Sequence, residues 1–191
     1  MKVPESDMPD EALWQSFFDT DKLLKTLLHD LPVEGDAVEL GAGYGTFTQS
    51  ALKSITGTLH AYEIESELCT YLETQMDAPF SERLQVHCSD VLANGTGLKP
   101  NSISLAMVFN LLHFADPSDL LNHIYDILIP GGRLLILHWR SDLETPRGPD
   151  KSLRPSPNDV SKWCQQAGFG IVQQVDVSES CPWHFSVVAT K

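Results

Sequence analysis

The strongest constraint on the fold is a short apolar run, Ala37 to Leu40, that leads straight into a glycine-rich turn. Glycines stand at positions 41, 43 and 45, and a helical pattern follows over residues 46–54. A strand, a glycine turn and a helix in this order leave backbone N–H groups at a helix N-terminus, where a ligand can approach the main chain. The pattern predicts an α/β fold with a nucleotide-like ligand at the turn, without deciding which ligand.

Strand-like runs and helical stretches alternate along the rest of the chain. The predicted strands after the first cover residues 58–63, 84–88, 103–109, 134–137, 170–177 and 184–189, and the predicted helices cover residues 66–76, 117–128 and 158–167. This alternation predicts a three-layer, doubly wound, mostly parallel sheet of seven strands. Residues 178–183 leave no room for a helix between the last two runs, so these should pair antiparallel.

Helical periodicity also marks the N-terminal part of the chain. Apolar residues recur at helical spacing over residues 13–28, with Asp10 as a candidate N-cap. The pattern predicts one helix, or two helices broken near Asp19, with Pro32 and Gly35 ending the helical region. A second turn, Pro130-Gly131-Gly132, is expected to close the helix before the fifth strand.

We therefore predict an N-terminal helical extension over residues 1–32 and a ligand-binding domain over residues 33–191. Three aromatic side chains of the extension stand at the spacing that ordinary core packing gives: Trp14, Phe17 and Phe18. The alternative is that this extension acts as a lid over the ligand site.

Charge narrows the choice of partner. Among the 191 residues, 26 are acidic and 13 are basic, which gives a net charge of −13. This charge repels phosphate backbones and anionic membrane surfaces, so nucleic-acid and membrane partners are disfavoured and a small-molecule substrate is favoured. No apolar run reaches the roughly 18 residues of a membrane span, and the N-terminus lacks the pattern of a secretory signal. We expect a cytoplasmic protein.

The spacing of the cysteines gives no metal or disulfide signature. There are four: Cys69, Cys88, Cys164 and Cys181. None forms a C-x-x-C pair, and no histidine stands at zinc-ligand spacing from them. The expectation is isolated, reduced thiols in or near the core and no metal site.

Polar residues at the ends of the predicted strands indicate which kind of ligand the glycine turn binds. Glu63 ends the second strand, 18 residues after Gly45 (63 − 45), where a carboxylate can bind a ribose diol. Asp90 follows the third strand and can reach an adenine amino group, and Asn110 follows the fourth. For each acid the alternative is a solvated residue or a helix cap. Together with Glu39 on the first strand, these residues predict a nucleoside site at the carboxyl ends of the strands.

These motifs resemble those of class I S-adenosylmethionine-dependent methyltransferases over roughly residues 33–191. The resembling segments are Glu39–Gly45, Glu63-Ile64, Ser89-Asp90-Val91, Asn110–Phe114 and Pro130–Leu134. The glycine spacing G-x-G-x-G differs from the dinucleotide fingerprint, and the terminal antiparallel pair is unlike the parallel units of dinucleotide dehydrogenases. The resemblance implies a Rossmann-like methyltransferase fold. Within the family, the chain most resembles small bacterial enzymes of unassigned substrate.

The resemblance also implies roles for particular residues. The backbone of Gly41, Ala42 and Gly43 would pass against the methionine part of S-adenosylmethionine, with Glu39 near its amino group. Glu63 and Ile64 would meet the ribose. Asp90 and Val91 would flank adenine, and Asn110 would line the floor near the methyl group. The stretch 92–102 departs from the family because it is short and contains glycine.

The methyl acceptor is less constrained, because methyl transfer depends mainly on alignment and needs a base only for a protonated nucleophile. Weak catalytic candidates follow strands four and five: His113, His138 and Arg147, with packing or surface pairing as the alternative for each. Arg147 and Arg154 together would clamp an anionic substrate. We predict a methyltransferase of a small molecule that leaves S-adenosylhomocysteine as product. A nucleotide-dependent oxidoreductase and a non-catalytic S-adenosylmethionine-binding module are the alternatives, and the acceptor atom and oligomeric state stay open.

Overall fold

The computed structural model describes residues 9–29 and 32–191. Predictions for residues 1–8 and for Asp30 and Leu31 lie outside them. The helices are α1 (Glu11–Gln15), α2 (Thr20–Leu28), α3 (Thr48–Ser54), α4 (Ser66–Gln75), α5 (Val91–Asn94), α6 (Ser118–Ile127) and α7 (Pro157–Gln166). The strands are β1 (Ala37–Leu40), β2 (Leu59–Glu63), β3 (Leu84–Cys88), β4 (Ile103–Phe109), β5 (Leu128–Trp139), β6 (Ile171–Val175) and β7 (His184–Thr190). Short 3-10 turns cover Ser81–Arg83 and Lys151–Leu153.

The strands form one seven-stranded sheet in the order β3-β2-β1-β4-β5-β7-β6. Strand β7 runs antiparallel to both of its neighbours, β5 and β6, and the other described pairs are parallel. The predicted three-layer fold with an antiparallel C-terminal strand is confirmed. Because the chain reverses its winding direction between β1 and β4, a crevice is expected at the carboxyl ends of these two strands.

Apolar side chains cover both faces of the sheet, as a central strand shows. In β4, Ala106 and Val108 pack into a cluster with α6 and α7, whereas Leu105, Met107 and Phe109 pack into a second cluster with α2 and α3. Burial on both faces is why this strand reads as a continuous apolar run. None of the helices in the described ranges is long and apolar enough to cross a membrane.

The N-terminal helical region is broken, which decides between the two predicted arrangements. Helix α1 begins after Asp10, and α2 begins after Asp19, whose side chain accepts a hydrogen bond from the backbone N–H of Lys22. Helix α2 ends at Leu28, the last apolar residue of the predicted helical pattern and ahead of Pro32, with His29 in the left-handed conformation.

The turn predicted to precede the fifth strand lies inside it. Leu128 pairs with Ile103 and Arg133 with Leu105, so the residues between Leu128 and Arg133 form an irregularity in the β4–β5 ladder. Strand β5 is therefore longer than the predicted residues 134–137. Proline and glycine signalled a break in structure, but the strand resumes its pairing beyond the break.

The expectation of isolated thiols holds for only part of the set. All four cysteines are free, and Cys164 and Cys181 are buried on opposite faces of the sheet. Cys69 on α4 and Cys88 at the end of β3 instead lie near one residue, because the Cys69 thiol donates to the carbonyl of Glu63, which is the register partner of Cys88. The sequence spacing gave no sign of this proximity, because parallel pairing and the packing of α4 on β3 bring the two residues together.

Candidate cofactor site

The glycine turn bends the chain sharply between β1 and α3. Gly41, Gly43 and Gly45 have φ angles of 76°, 57° and 75°, in the left-handed region that favours glycine. The backbone N–H groups of Gly41 and Ala42 both donate to the carbonyl of Tyr62, at 2.9 and 3.0 Å. The turn is thereby tied to the end of β2, where the sequence predicts the ribose-binding carboxylate.

Glu63 connects the glycine turn to the loop that follows β2. Its Oε2 accepts a hydrogen bond from the backbone N–H of Gly43 at 2.8 Å, and its Oε1 accepts from the N–H groups of Ile64 and Glu65 at 2.7 and 3.0 Å. A carboxylate has about four lone-pair positions, so three of these are engaged. A diol that used both oxygens would have to displace at least one backbone donor.

Glu39 lies deeper, on β1, and is almost fully buried. Its Oε2 accepts a hydrogen bond of 2.6 Å from the Thr48 hydroxyl on α3. Burial raises the pKa of Glu39 to about 7, against the opposing hydrogen bond from Thr48 and with a further contribution from the charge of Glu63. The site therefore holds two neighbouring carboxyl groups in a poorly solvated place, which favours a cationic partner.

Asp90 caps a short helix at the far side of the predicted site. Its Oδ1 accepts from the N–H groups of Leu92 and Ala93, at 2.9 and 3.2 Å. The stretch 92–102, which departs from the family pattern, is anchored on both sides. Tyr62 donates its hydroxyl to the Thr96 carbonyl at 2.6 Å, and the Thr96 hydroxyl lies 2.7 Å from Nε2 of His123 on α6. The predicted adenine edge is thus a fixed surface. The hydrogen bonds show Asp90 as a helix cap, and its contact with adenine stays a prediction.

Asn110 follows β4 next to the glycine turn. It adopts a left-handed conformation with φ of 55°, and its backbone N–H donates to the Leu137 carbonyl at 2.8 Å. Both polar atoms of its side-chain amide are buried without a hydrogen-bond partner among the described residues. Leaving such a group unpaired costs about 1–3 kcal/mol. A ligand that paired with the amide would recover that free energy.

Helix α1 and the residues around it lie against the glycine turn. Tyr44, within the turn, donates its hydroxyl to the Pro9 carbonyl at 3.2 Å, and Tyr71 on α4 donates to Oε2 of Glu11 at 2.5 Å. The sequence analysis gave no role to the hydroxyls of these tyrosines or of Thr48, because each contact depends on how separate segments pack. Tyr44 lies in the glycine turn, but its partner Pro9 stands 35 residues away. Tyr71 and Glu11, for example, stand 60 residues apart, so no local pattern signals their pairing.

Comparison with known proteins identifies the family. Residues 38–136 match the methyltransferase domain family, which is more than half of the 191 residues. The chain belongs to the methyltransferase domain family. It is an S-adenosylmethionine-dependent methyltransferase of class I. This assignment favours methyl transfer over the predicted alternatives of an oxidoreductase and a non-catalytic module.

Solved structures of other methyltransferases share the fold. A methyltransferase dependent on S-adenosylmethionine from Aquifex aeolicus has a TM-score of 0.75 and 20% identity, covering 95% of this chain and 93% of that one. One from Mesorhizobium loti has a TM-score of 0.63 and 17% identity, covering 95% of this chain and 99% of that one. A search of curated proteins finds no match.

A further similar structure carries ligands. An N-methyltransferase from Haemonchus contortus, in complex with phosphomonomethylethanolamine and S-adenosylhomocysteine, has a TM-score of 0.69 and 13% identity, covering 90% of this chain and 52% of that one. At such low identities these likenesses show the fold and leave the acceptor of this methyltransferase open.

The two histidine candidates of the methyltransferase lie close together, with His113 beyond the end of β4 and His138 in the last residues of β5. His138 is fully buried, and its ring lies 5.7 Å from that of His113 between centroids. Burial lowers the pKa of His138 to about 3, against a hydrogen bond to the Trp139 carbonyl and with further lowering by His113 and Arg154. A base works best with a pKa near the operating pH, so His138 is a neutral packing residue and a poor base.

The arginine candidates lie in the loop after β5. Arg154 donates to the carbonyls of Pro149 and Arg140 at 2.8 and 2.9 Å and to the Thr145 hydroxyl at 2.7 Å. Its guanidinium therefore holds the loop together. Arg154 is thus occupied within the protein and does not form the predicted two-arginine clamp on an anionic substrate. Arg147 stands in the loop that Arg154 fastens.

Trp139 of the methyltransferase is a core residue. It is fully buried against Trp14 and Phe17, with ring centroids 6.2 and 5.7 Å away. A Cβ on Gly148 would lie 2.8 Å from its ring, so the loop crosses the indole closely. These aromatic residues pack against one another, as the packing interpretation predicts, and the lid stays a prediction. Within the described ranges, no group of three or more His, Cys, Asp or Glu side chains is placed to hold a metal ion.

Proposed function

We propose that this methyltransferase binds S-adenosylmethionine along the glycine turn, with the ribose at Glu63. The observation that carries the proposal is the bridging carboxylate of Glu63, which holds Gly43 on one side and Ile64 on the other. A ribose at this carboxylate would have the glycine backbone on one side, for the methionine part, and the loop after β2 on the other.

Electrostatics supports the same orientation. The buried Glu39 has a pKa raised to about 7, chiefly by burial, so its ionised form lacks a compensating charge. In our proposal the ammonium of the methionine part supplies that charge beside Gly41 and Ala42. Attraction between opposite charges is strong where water is excluded.

Asn110 and the adenine edge complete the proposed site. The buried amide of Asn110 has two unpaired polar atoms, and a ligand over the end of β4 would supply their partners. Adenine would lie between Asp90-Val91 and the loop after β2, on the surface that Tyr62 and Thr96 hold together. The unpaired amide and the buried carboxylate of Glu39 are the features of this chain that fit the cofactor.

Methyl transfer requires these residues to align the reacting groups more than it requires them to move a proton. When bound, S-adenosylmethionine supplies an electrophilic methyl group on a sulfonium centre. The glycine turn and Asn110 would hold that group at a fixed edge of the sheet, and the buried aromatic residues Trp14, Phe17 and Trp139 exclude water nearby. His113 stays the candidate that could accept a proton, since the pKa of His138, lowered to about 3 by burial, makes His138 too weak a base.

We further propose that the acceptor is a small molecule and that the N-terminal residues act as a lid. The net charge of −13 disfavours polyanions. Residues 9–18 lie across the turn through Tyr44, Tyr71 and the aromatic cluster. A covered site admits an acceptor of limited size. Arg147, in the loop after β5, is the candidate contact for an anionic acceptor.

Two experiments test these proposals. Calorimetry with S-adenosylhomocysteine should give a clear binding signal for the wild type, a loss of at least about tenfold in affinity for Glu63→Gln, and no loss for the exposed control Glu67→Gln. Thermal melting checks that each variant folds. Unchanged affinity of Glu63→Gln would remove Glu63 from the site.

The acceptor class is tested by transfer of a radiolabelled methyl group. The wild type is incubated with labelled S-adenosylmethionine and, separately, with a metabolite panel, mixed RNA, DNA and a protein extract. We expect label in one or more small molecules and none in polymer. Label confined to nucleic acid or protein would contradict the small-molecule proposal.

A further inference from the structure

Two thiols flank the backbone of the proposed ribose-binding residue. Glu63 and Cys88 are register partners in the parallel pairing of β2 with β3. Cys69, on α4, donates its thiol to the Glu63 carbonyl at 3.5 Å, and the next residue after Cys88, Ser89, donates its N–H to the same carbonyl at 2.9 Å. One carbonyl oxygen therefore lies between the two cysteine-bearing segments.

The two thiols differ in access to solvent. Cys69 is buried and Cys88 is exposed. Burial raises the pKa of Cys69 to about 12, and interaction with the Cys88 thiol is the next cause. Cys69 therefore stays protonated at ordinary pH, and the exposed Cys88 is the sulfur that a soluble oxidant reaches first.

We propose that Cys69 and Cys88 form a reversible disulfide that weakens cofactor binding by this methyltransferase. The bond itself follows from the neighbourhood of the two thiols. Its consequence for the cofactor rests on the proposed role of Glu63 in ribose binding.

The oxidation balances with a peroxide as the oxidant. The Cys88 sulfur attacks the peroxide oxygen, the O–O bond breaks, and a sulfenic acid and one water form. The Cys69 sulfur then attacks the Cys88 sulfur, the S–O bond breaks, and the hydroxide leaves as a second water with the Cys69 proton. The two thiols lose two electrons in total, and the peroxide gains them. A small-molecule thiol reverses the reaction by exchange.

The disulfide acts on the cofactor site through the Glu63 main chain. Once its sulfur is bonded to Cys88, Cys69 has no proton to donate to the Glu63 carbonyl. The new bond also fixes α4 to the end of β3, on either side of the loop in which Ile64 and Glu65 donate to the Glu63 carboxylate. A change in this loop alters the carboxylate that the ribose is proposed to meet.

The test combines peptide mapping with binding. The full-length protein is treated with hydrogen peroxide, digested and analysed by mass spectrometry. We expect a linked peptide pair joining Cys69 to Cys88 that disappears with dithiothreitol, while Cys164 and Cys181 stay reduced. In Cys69→Ser, Cys88 should instead accumulate as a sulfenic acid that dimedone labels. Absence of the link, or a link to another cysteine, would overturn the proposal.

Binding of S-adenosylhomocysteine is then measured by calorimetry on reduced and oxidised protein. Oxidation should lower the affinity of the wild type about fivefold or more, which is the lower range of coupling between linked sites. The affinity of Cys88→Ser should be the same before and after oxidation. Equal affinity of the linked and reduced proteins would overturn the regulatory consequence. Failure of the reduced protein to bind at all would count against the cofactor site, and the peptide map would still decide whether the disulfide forms.

Discussion

Replacing Glu39 by Gln should make the cofactor-free protein more stable and its cofactor binding weaker. The side chain is almost fully buried, and burial raises its pKa from 4.5 to about 7. That pKa difference corresponds to about 3 kcal/mol at about 1.4 kcal/mol for each pKa unit. Glutamine keeps an oxygen that can accept from Thr48 and has no charge to bury, so it should remove this cost.

The pH dependence has a defined sign. Because the folded state holds the Glu39 proton more tightly than the unfolded state, this group destabilises the fold as pH rises from about 4.5 through about 7. The free energy of unfolding of Glu39→Gln should therefore exceed that of the wild type by about 3 kcal/mol near pH 8.5 and by about 1 kcal/mol near pH 5. Urea unfolding at both pH values, without cofactor, measures the difference.

The control is Glu67→Gln, an exposed change of the same type at the start of α4. It should alter stability by less than about 0.5 kcal/mol at either pH. If Glu39→Gln is no more stable than the wild type near pH 8.5, the argument from burial is refuted. If it binds S-adenosylhomocysteine as tightly as the wild type, the proposed contact with the ammonium is refuted.

Three further changes follow from the contacts around the turn. Gly45→Ala should destabilise the protein by about 1–3 kcal/mol, because its φ is positive and a Cβ would lie 2.6 Å from Leu72; an unchanged urea midpoint would contradict this. Tyr71→Phe removes the hydroxyl that binds Glu11, so S-adenosylhomocysteine should dissociate faster in stopped-flow measurements if α1 is a lid, and at the same rate if it is not. Arg154→Lys should increase proteolysis of the loop over residues 141–156, because lysine cannot donate in a fork to three loop oxygens; equal cleavage would show that the loop is held by other contacts.

The strand bounds that the sequence predicts best are those of runs without a proline or glycine inside them. The bounds of β3 and β4 match the prediction, and β4 is buried on both faces by many apolar residues. Strand β5 was predicted too short because Pro130 and Gly131 carry turn signals. Whether a strand resumes beyond such a turn depends on its neighbours, and here β4 and β7 supply the pairing.

For the candidate site, the sequence indicates the positions of the residues but not their hydrogen-bond partners. The positions of Glu39, Glu63, Asp90 and Asn110 at one edge of the sheet follow from strand ends, which the sequence indicates. Their hydrogen-bond partners do not follow, because Thr48 approaches Glu39 only after α3 has packed. The sequence predicted that the Glu63 carboxylate can bind a ribose diol, and it gave no sign of the three backbone donors that engage this carboxylate.

The most direct test of the cofactor site is a crystal structure with S-adenosylhomocysteine. We predict that a ribose hydroxyl lies within about 2.5–3.2 Å of a Glu63 oxygen, that at least one of the three backbone bonds to Glu63 has lengthened or broken, and that the Asn110 amide has gained a partner. A ligand bound elsewhere, or at the turn with its ribose away from Glu63, would contradict the account.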